Sequence, residues 1–376
     1  MRGFEANLAG PLYDFGGYPT YFRELASRLR KMGRVTIQGL QPPPAGMPPD
    51  IPWPTWTSPP DIYSPTLIVA APHAFLQTKP NMIQQARVHA YVWLTMWEVL
   101  FNDRAIDYFI NDIPWRGLLT TSHFCADQLA GKTDRPVFVV PNHANTDIFR
   151  LSARKPRSGP FTFGMAGTFI TRKGWRVLRE AWLRSDLGPD GCRLLVRPTF
   201  ETHGRANMRD VERLFEGMEG VEIWSNVDPL SQNPLLDFYN SVDCMVYPAF
   251  GDTLPKAILE PGALGLPTLG NNVAGIAELL DSLPHGGTFR VHTENFEACP
   301  EEDPLAQMHE LWHWHHWWPS DPENFAEAMV DIANIGRERM DEVGREWSRA
   351  ITLNYSVKNA ALALKAAWKE IFDDEA

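Results

Sequence analysis

The chain has 376 residues, 44% of them hydrophobic, which is enough for two domains that each bury a core. Thirty-five basic against 46 acidic side chains leave a formal charge of -11, which excludes a global attraction to nucleic acid or to an anionic membrane. Cys125, Cys192, Cys244 and Cys299 lie far apart without a C-x-x-C pair, which argues against a zinc site or a disulfide framework.

Reduced thiols and a cytoplasmic location are therefore expected. The opening MRGFEANLAGPL lacks the apolar core of a signal peptide, and no run of about 18 apolar residues occurs, so no stable membrane insertion is expected.

Residues 3 to 9 read as a first short strand. Leu25, Leu29 and Met32 then recur at helical spacing, and Gly33 ends that helix and opens the strand RVTIQGL. Between the first strand and the helix lies the pair Gly16 and Gly17, a pattern that plain turns also use. Residues 41 to 60 are too rich in proline for regular structure and read as an extended surface segment. TLIVAAPHAF is a buried strand ending in a loop with His73, and HAYVWLTMWEVL is another, ending at Trp97 and Glu98. His73, Trp97 and Glu98 are candidates on the acceptor side. The plainer reading makes the carboxylate a cap and the imidazole a satisfied loop histidine.

Residues 150 to 160, RLSARKPRSGP, change composition sharply and mark a basic linker. From 150 to 184 there are nine basic residues, among them Arg150, Arg154, Lys155, Arg157, Arg172 and Lys173, against the single acid Glu180. Such a cationic stripe suits a diphosphate or a phosphate backbone. FTFGMAGTFITRKGWRVLREAW reads as a strand, a loop with Arg172, Lys173 and Gly174, and a helix. A basic pair ahead of a helix N-terminus favours phosphate contact over simple solvation.

CRLLVRPTF and VEIWSNV are further strands, PLLDFYNSV a helix, and the last helix is NAALALKAAWKEIF. Residues 291 to 322 read as an aromatic and histidine-rich insertion. His309 and His313 there have the i, i+4 spacing of ligands on one helix face but no H-E-x-x-H pattern, so no metal is expected. Fourteen tryptophans would serve sugar or base stacking, although most tryptophans fill cores.

The stretch from Val242 to Leu280 is the most informative. VDCMVY is a buried strand, PAFGDT a loop, PKAILE a helix start, and LGLPTLG a turn into the next strand. In such units ligands sit beyond the carboxyl ends of the strands, where helix N-termini offer N-H groups to anions. Asp252 precedes the helix, Pro255 suits its first turn, and Glu260 lies within it, a span of roughly 7 to 8 Å for the helical part. Two carboxylates so placed would grip hydroxyls on either side of a diphosphate. The plain alternative is a helix cap and a solvated helix residue.

On these residues the chain resembles the retaining family-4 glycosyltransferases, the glycosyl transferases group 1. DTLPKAILE is similar to their acidic-x7-Glu motif, NNVAGIAEL to the loop and helix that follow it, and PNHANTDIF to their Pro-Asn-Gly-x-Asp-x-x-x-Phe signature. The segment FGMAGTFITRKG is similar to their Gly-Arg-x(4)-Lys-Gly pattern, with Lys173 at the lysine and Thr168 at the arginine, which leaves Arg172 or Arg197 to supply the second cation. Further departures are Asp252 for the usual glutamate, Pro261 after Glu260, His143 and Asn145 within the signature, and Trp97 where many relatives have a histidine. An interior proline costs about 3 kcal/mol unless the helix bends or ends, so a kink after Glu260 is expected.

The resemblance implies an α/β chain with the GT-B fold, two Rossmann-like parallel-sheet domains facing across a cleft with the C-terminal helix crossing back to the first. The expected divisions are residues 1 to 150 with 356 to 376, a linker at 151 to 160, and residues 161 to 355. It also implies a metal-independent enzyme without cofactor. The donor would be a nucleotide-diphosphate sugar, UDP before other nucleotides, and the sugar would pass to an acceptor hydroxyl with retention of configuration. Asp252 would orient the donor sugar, Glu260 the ribose, and Lys173 with Arg172 the diphosphate. Gly16, Gly17, Thr253, Leu254 and Lys256 would complete the donor site, and Glu98 would act near the acceptor. A glycan or glycoconjugate is the first-choice acceptor. Hydroxymethylated pyrimidines of viral DNA, a non-catalytic sugar-nucleotide-binding protein and a GT-B epimerase are the alternatives.

Overall fold

The computed structural model describes residues 4–12, 17–39, 64–70, 90–95, 103–200, 207–224, 233–298 and 316–373. The chain divides into two compact units, one of residues 1–142, 299–315 and 357–376, the other of 143–298 and 316–356.

The first unit contains a six-stranded, wholly parallel sheet. Its strands are β1 (Phe4–Gly10), β2 (Gly33–Gly39), β3 (Thr66–Val69), β4 (Tyr91–Thr95), β5 (Gly117–Thr120) and β6 (Val137–Val139), in the order β2-β1-β3-β4-β5-β6. Parallel strands are covered on both faces, which is why β3 and β5 are almost wholly apolar. α1 (Gly17–Arg30) follows β1 and buries Tyr21, Phe22, Leu25 and Leu29, while Met32 packs at the edge of the same core. α2 (His123–Leu129) follows β5, and the last helix of the chain is α10 (Val357–Asp373). It returns to this unit and buries Ala360, Leu364 and Trp368 in that core, with the Trp368 ring 5.4 Å from Phe4. Trp93 and Trp115 stack at 5.3 Å, and each indole N-H is satisfied by a backbone carbonyl, so these two tryptophans fill the core and offer no face to a ligand.

The second unit repeats the plan with a different strand order. β7 (Thr162–Thr168), β8 (Arg193–Thr199), β9 (Val221–Ile223), β10 (Cys244–Tyr247), β11 (Thr268–Asn271) and β12 (Arg290–Val291) pair in parallel as β12-β11-β10-β7-β8-β9. Renumbered from β7, this is the doubly wound 3-2-1-4-5-6 arrangement, whose winding reverses between β7 and β10. The connecting helices are α3 (Trp175–Ser185), α4 (Met208–Leu214), α5 (Asn233–Asn240), α6 (Lys256–Leu264) and α7 (Ala274–Asp281), followed by α8 (Pro322–Ile335) and α9 (Arg337–Asn354). The two Rossmann-like units and the returning α10 are the GT-B arrangement. Among the described residues no helix is long and apolar enough to cross a membrane, and Cys125, Cys192 and Cys244 are free thiols.

One local expectation is adjusted. Pro255 is the residue before α6, in an extended conformation at φ -71° and ψ 132°, and not its first helical residue. The helix then continues through Pro261 to Leu264 before ending at Gly265 in the left-handed region. Seven successive residues from Ile258 to Leu264 are buried, so tertiary packing holds the turn that Pro261 weakens.

α6 is held against α9 by a close backbone approach. A Cβ placed on Gly344 of α9 would lie 2.0 Å from the Gly265 carbonyl oxygen, a contact no side chain tolerates. Alanine is the better helix former by about 1 kcal/mol, yet Gly344→Ala is expected to destabilise the protein by roughly 2 kcal/mol through that overlap. Urea unfolding of the two proteins decides the sign.

Candidate functional site

The loops that leave β7 and β10 lie side by side because these strands are neighbours at the winding reversal. After β7, Thr171 to Lys173 form one 3-10 turn that closes on Gly174 at φ 76°. A Cβ there would fall 2.0 Å from the Pro248 carbonyl oxygen, so glycine is required both by its left-handed backbone and by the approach of the two loops. The approach brings together residues 79 positions apart. The Lys173 ammonium donates to the Tyr247 hydroxyl at 2.6 Å and to Oδ2 of Asp252, and the Tyr247 hydroxyl donates to the same oxygen. Nη1 of Arg172 donates to the Gly251 carbonyl and lies 3.6 Å from that Oδ2. The side chains of Arg172, Lys173 and Asp252 keep only 4, 13 and 7% of their exposure.

Burial works to raise the Asp252 carboxyl. The Lys173 ammonium and the Arg172 guanidinium, with hydrogen bonds from Lys173 and Tyr247, outweigh it and hold the group well below the usual carboxylate range. The site therefore carries two cations against one permanent anion.

The Asp252 loop is fixed from several sides. Asn271 on β11 donates from Nδ2 to the carbonyls of Ala249 and Trp318, each at 3.1 Å. The Phe250 amide donates to the Arg172 carbonyl, the Trp318 amide to that of Phe250, and Ser320 Oγ to that of Pro248, at 2.8, 2.8 and 3.0 Å. The Gly275 amide donates to the Asp252 carbonyl at 2.9 Å beside Ala274, which has φ 50°, an unusual conformation for a residue other than glycine. Strain of this kind persists only where neighbours over-determine it, and it collects at binding sites.

Glu260 lies in α6, 6% exposed, and is not a solvated helix residue. The Tyr239 hydroxyl donates to its Oε2 at 3.4 Å, and the Lys256 ammonium is 3.8 Å from Oε1 while donating to the His143 carbonyl at 2.9 Å. Arg197 on β8 is buried nearby. Burial lowers its guanidinium from the ordinary value, with Tyr239 and Glu260 acting the other way. Asp252 does not cap α6. Its Oδ1 accepts the Thr253 amide at 2.9 Å, and Thr253 and Leu254 are both about 1% exposed.

The structure thus assembles Arg172, Lys173 and Asp252 in one group, and Glu260 and Lys256 with Arg197 in a second. Gly17 opens α1 after β1 in the first unit. Gly16, His73, Trp97, Glu98, His309 and His313 lie outside the described residues, as does the proline-rich segment from 41 to 60. His316, on a short strand (His316–Trp317), stacks on Phe296 at 5.0 Å. Among the described residues no group of three or more His, Cys, Asp or Glu is placed to hold a metal.

Part of the basic run turns inward, Arg154 to the carbonyls of Tyr239 and Val242 and Arg157 to Asp243, whereas Lys155 pairs with Asp237 and Arg184 with Glu323 at the exposed surface. Sequence reasoning missed Tyr247, Tyr239 and Asn271. The one available signal was that Tyr247 and Asn271 stand at the carboxyl ends of otherwise apolar strands, where polar atoms face the ligand side of such sheets.

Residues 160–302 match the family described as Glycosyl transferases group 1. The chain is a GT-B fold glycosyltransferase related to that family. Sucrose-phosphate synthase from Thermosynechococcus elongatus aligns over 98% of this glycosyltransferase and 99% of its own chain, at 14% identity and a TM-score of 0.70. A glycosyltransferase from Rickettsia africae ESF-5 covers 97% and 98% at 15% identity and 0.67. The catalytic domain of starch synthase IV from Arabidopsis thaliana, bound to ADP and acarbose, covers 99% and 99% at 10% identity and 0.64. At these identities the likeness is one of fold. Comparison with curated proteins gave no match.

Because Asp252 is held ionised, its contribution to stability is fully present above its unfolded value of about 3.9 and is lost as pH falls through the lower folded value. Asp252→Asn leaves two buried cations without their carboxylate and is expected to cost about 3 kcal/mol at neutral pH. The difference from the wild type should shrink below about pH 4. Thermal melting across pH 2.5 to 8 tests this, and a difference that does not change with pH would remove the charge pair as its cause.

Proposed function

We propose that this glycosyltransferase moves a sugar from a nucleotide-diphosphate donor, UDP before other nucleotides, to a hydroxyl of a glycan or glycoconjugate with retention of configuration. The observation that carries the reading is the Lys173, Arg172 and Asp252 group beyond the carboxyl ends of β7 and β10, inside the segment that matches the family. A diphosphate seated there meets two preorganised cations beside the N-terminus of α6, groups whose hold strengthens as negative charge grows on the leaving oxygen. In a site so shielded from water such contacts are worth a few kcal/mol each.

Asp252 would then exchange part of its hold on Lys173 for hydroxyls of the donor sugar, and Glu260 would accept from the ribose. Arg172 is the second cation that Thr168 does not supply, since it shares Asp252 with Lys173, whereas Arg197 stands with Glu260. In the transfer the bond from the anomeric carbon to the diphosphate oxygen breaks, and the acceptor oxygen bonds to that carbon from the same face. The acceptor proton passes to the departing phosphate oxygen, so no metal or cofactor enters the balance.

The DNA acceptor rests on the basic stripe, and the inward turn of Arg154 and Arg157 takes part of that support away. A glycan remains the better-supported acceptor class. An epimerase would convert the donor without an acceptor, and a binding protein would hold it unchanged.

A thermal-shift screen of UDP-, GDP- and ADP-sugars, followed by nucleotide release with and without a glycan mixture, separates these readings, because a ligand bound only to the native state raises its melting temperature. Acceptor-dependent release, with a product whose anomeric configuration by NMR equals that of the donor, is the expected outcome. Glu260→Ala should weaken donor binding about tenfold. Lys173→Ala should lower kcat by about 100-fold or more while changing KM little. Negligible effects of both would place the donor elsewhere.

A further inference from the structure

A second charged pocket lies at the other end of the same sheet, and the transfer reaction makes no use of it. It is a half-open depression of about 220 Å³ lined by Arg157, Ser158, Thr162, Arg193, Asp243 and Arg337 among others. Thr162 and Arg193 begin β7 and β8, and Asp243 immediately precedes β10, so the pocket sits at the amino ends of strands whose carboxyl ends carry Lys173 and Asp252. A seven-residue strand separates the two places by about 20 Å.

The acid in this pocket is fully engaged. Asp243 accepts from the Thr162 amide at 2.8 Å, from Nε and Nη2 of Arg337, and pairs with Nη2 of Arg157. Nη2 of Arg337 also donates to the carbonyls of Gly159 and Pro160. The Arg157 side chain is 9% exposed, and its Nη1 has no hydrogen-bond partner among the described residues. Arg193, 44% exposed, pairs with Glu222 at the surface.

Three guanidiniums therefore line a space large enough for several waters, with one carboxylate among them. Burial lowers the Arg157 guanidinium from its ordinary value, and Arg337 adds to that against Asp243 and Asp341. Burial and then Arg157 bring Arg154 down to about 10. A purely structural network would match its charges and leave no void. Here a buried guanidinium that lines the pocket keeps a donor without a hydrogen-bond partner among the described residues.

We propose that this pocket binds the phosphate group of a small phosphorylated molecule, with the Arg157 and Arg193 guanidiniums as donors and the Ser158 hydroxyl beside them. Planar guanidiniums suit the oxygens of a phosphate, and Arg193 can leave Glu222 for it at little cost because that pair is exposed. The site is separate from the donor site and does not depend on the transferase reading.

The test is thermal shift and isothermal titration with inorganic phosphate against chloride at equal ionic strength, on the full chain and on Arg193→Gln and Lys173→Ala. Arg193→Gln alters an exposed side chain and leaves the Asp243 contacts in place, so it should fold where Arg157→Gln would not be a fair test. Saturable stabilisation by phosphate in the wild type and in Lys173→Ala, with affinity about tenfold weaker in Arg193→Gln, is the expected result. The proposal is overturned if phosphate gives no saturable effect beyond chloride, or if Arg193→Gln binds as the wild type does. Loss of the effect in Lys173→Ala alone would place the phosphate at the donor site and equally overturn it.

Discussion

Everything at the candidate donor site depends on keeping a carboxylate ionised while it is almost wholly out of water. Isolated, a buried Asp252 would take up a proton. It stays charged because two cations from the next loop and a phenol from its own strand converge on it. Each of those partners is positioned by backbone. The strand order puts the loops after β7 and β10 next to one another, Gly174 lets them touch, and Asn271 and Ser320 hold the Asp252 loop by its carbonyls. Removing the carboxylate would strand the cations, and removing the cations would protonate the carboxylate, so the group behaves as one unit.

The two acids of the motif have different surroundings and hence different chemistry. Asp252 faces ammonium and guanidinium and is a strong, permanently charged acceptor. Glu260 faces the Tyr239 hydroxyl, with Lys256 nearby and Arg197 beyond, a weaker field with donors that can be exchanged for a ligand's hydroxyls. Burial and then the Glu260 carboxylate push the Tyr239 phenol well up, so it remains a hydrogen-bond donor at any working pH. That contrast fits a donor with a charged diphosphate between two neutral, hydroxyl-bearing ends.

The basic residues show how composition misleads. A run of nine cations against one anion suggests a surface made for polyanions, yet Arg154 and Arg157 are structural or pocket-lining groups inside the second unit. A guanidinium can satisfy several carbonyls and still be buried, which a count of charges cannot register. The tryptophans give the same lesson, since Trp93, Trp115 and Trp347 are fully buried and each indole N-H is spent on a backbone carbonyl.

By itself the sequence determined the alternation of apolar strands and amphipathic helices, because parallel strands covered on both faces must be continuously apolar and helices must show a 3.6-residue stripe. It also placed Asp252 and Glu260 on either side of a helix start, since that spacing is local. What only the tertiary structure decided is which distant groups meet. The contact of Lys173 with Tyr247 and Asp252, the nearness of Arg197 to Glu260, the inward turn of Arg154 and the pocket around Asp243 all join residues dozens of positions apart. Local pattern carries no record of such meetings. They follow from strand order and from the close backbone approach that one glycine permits.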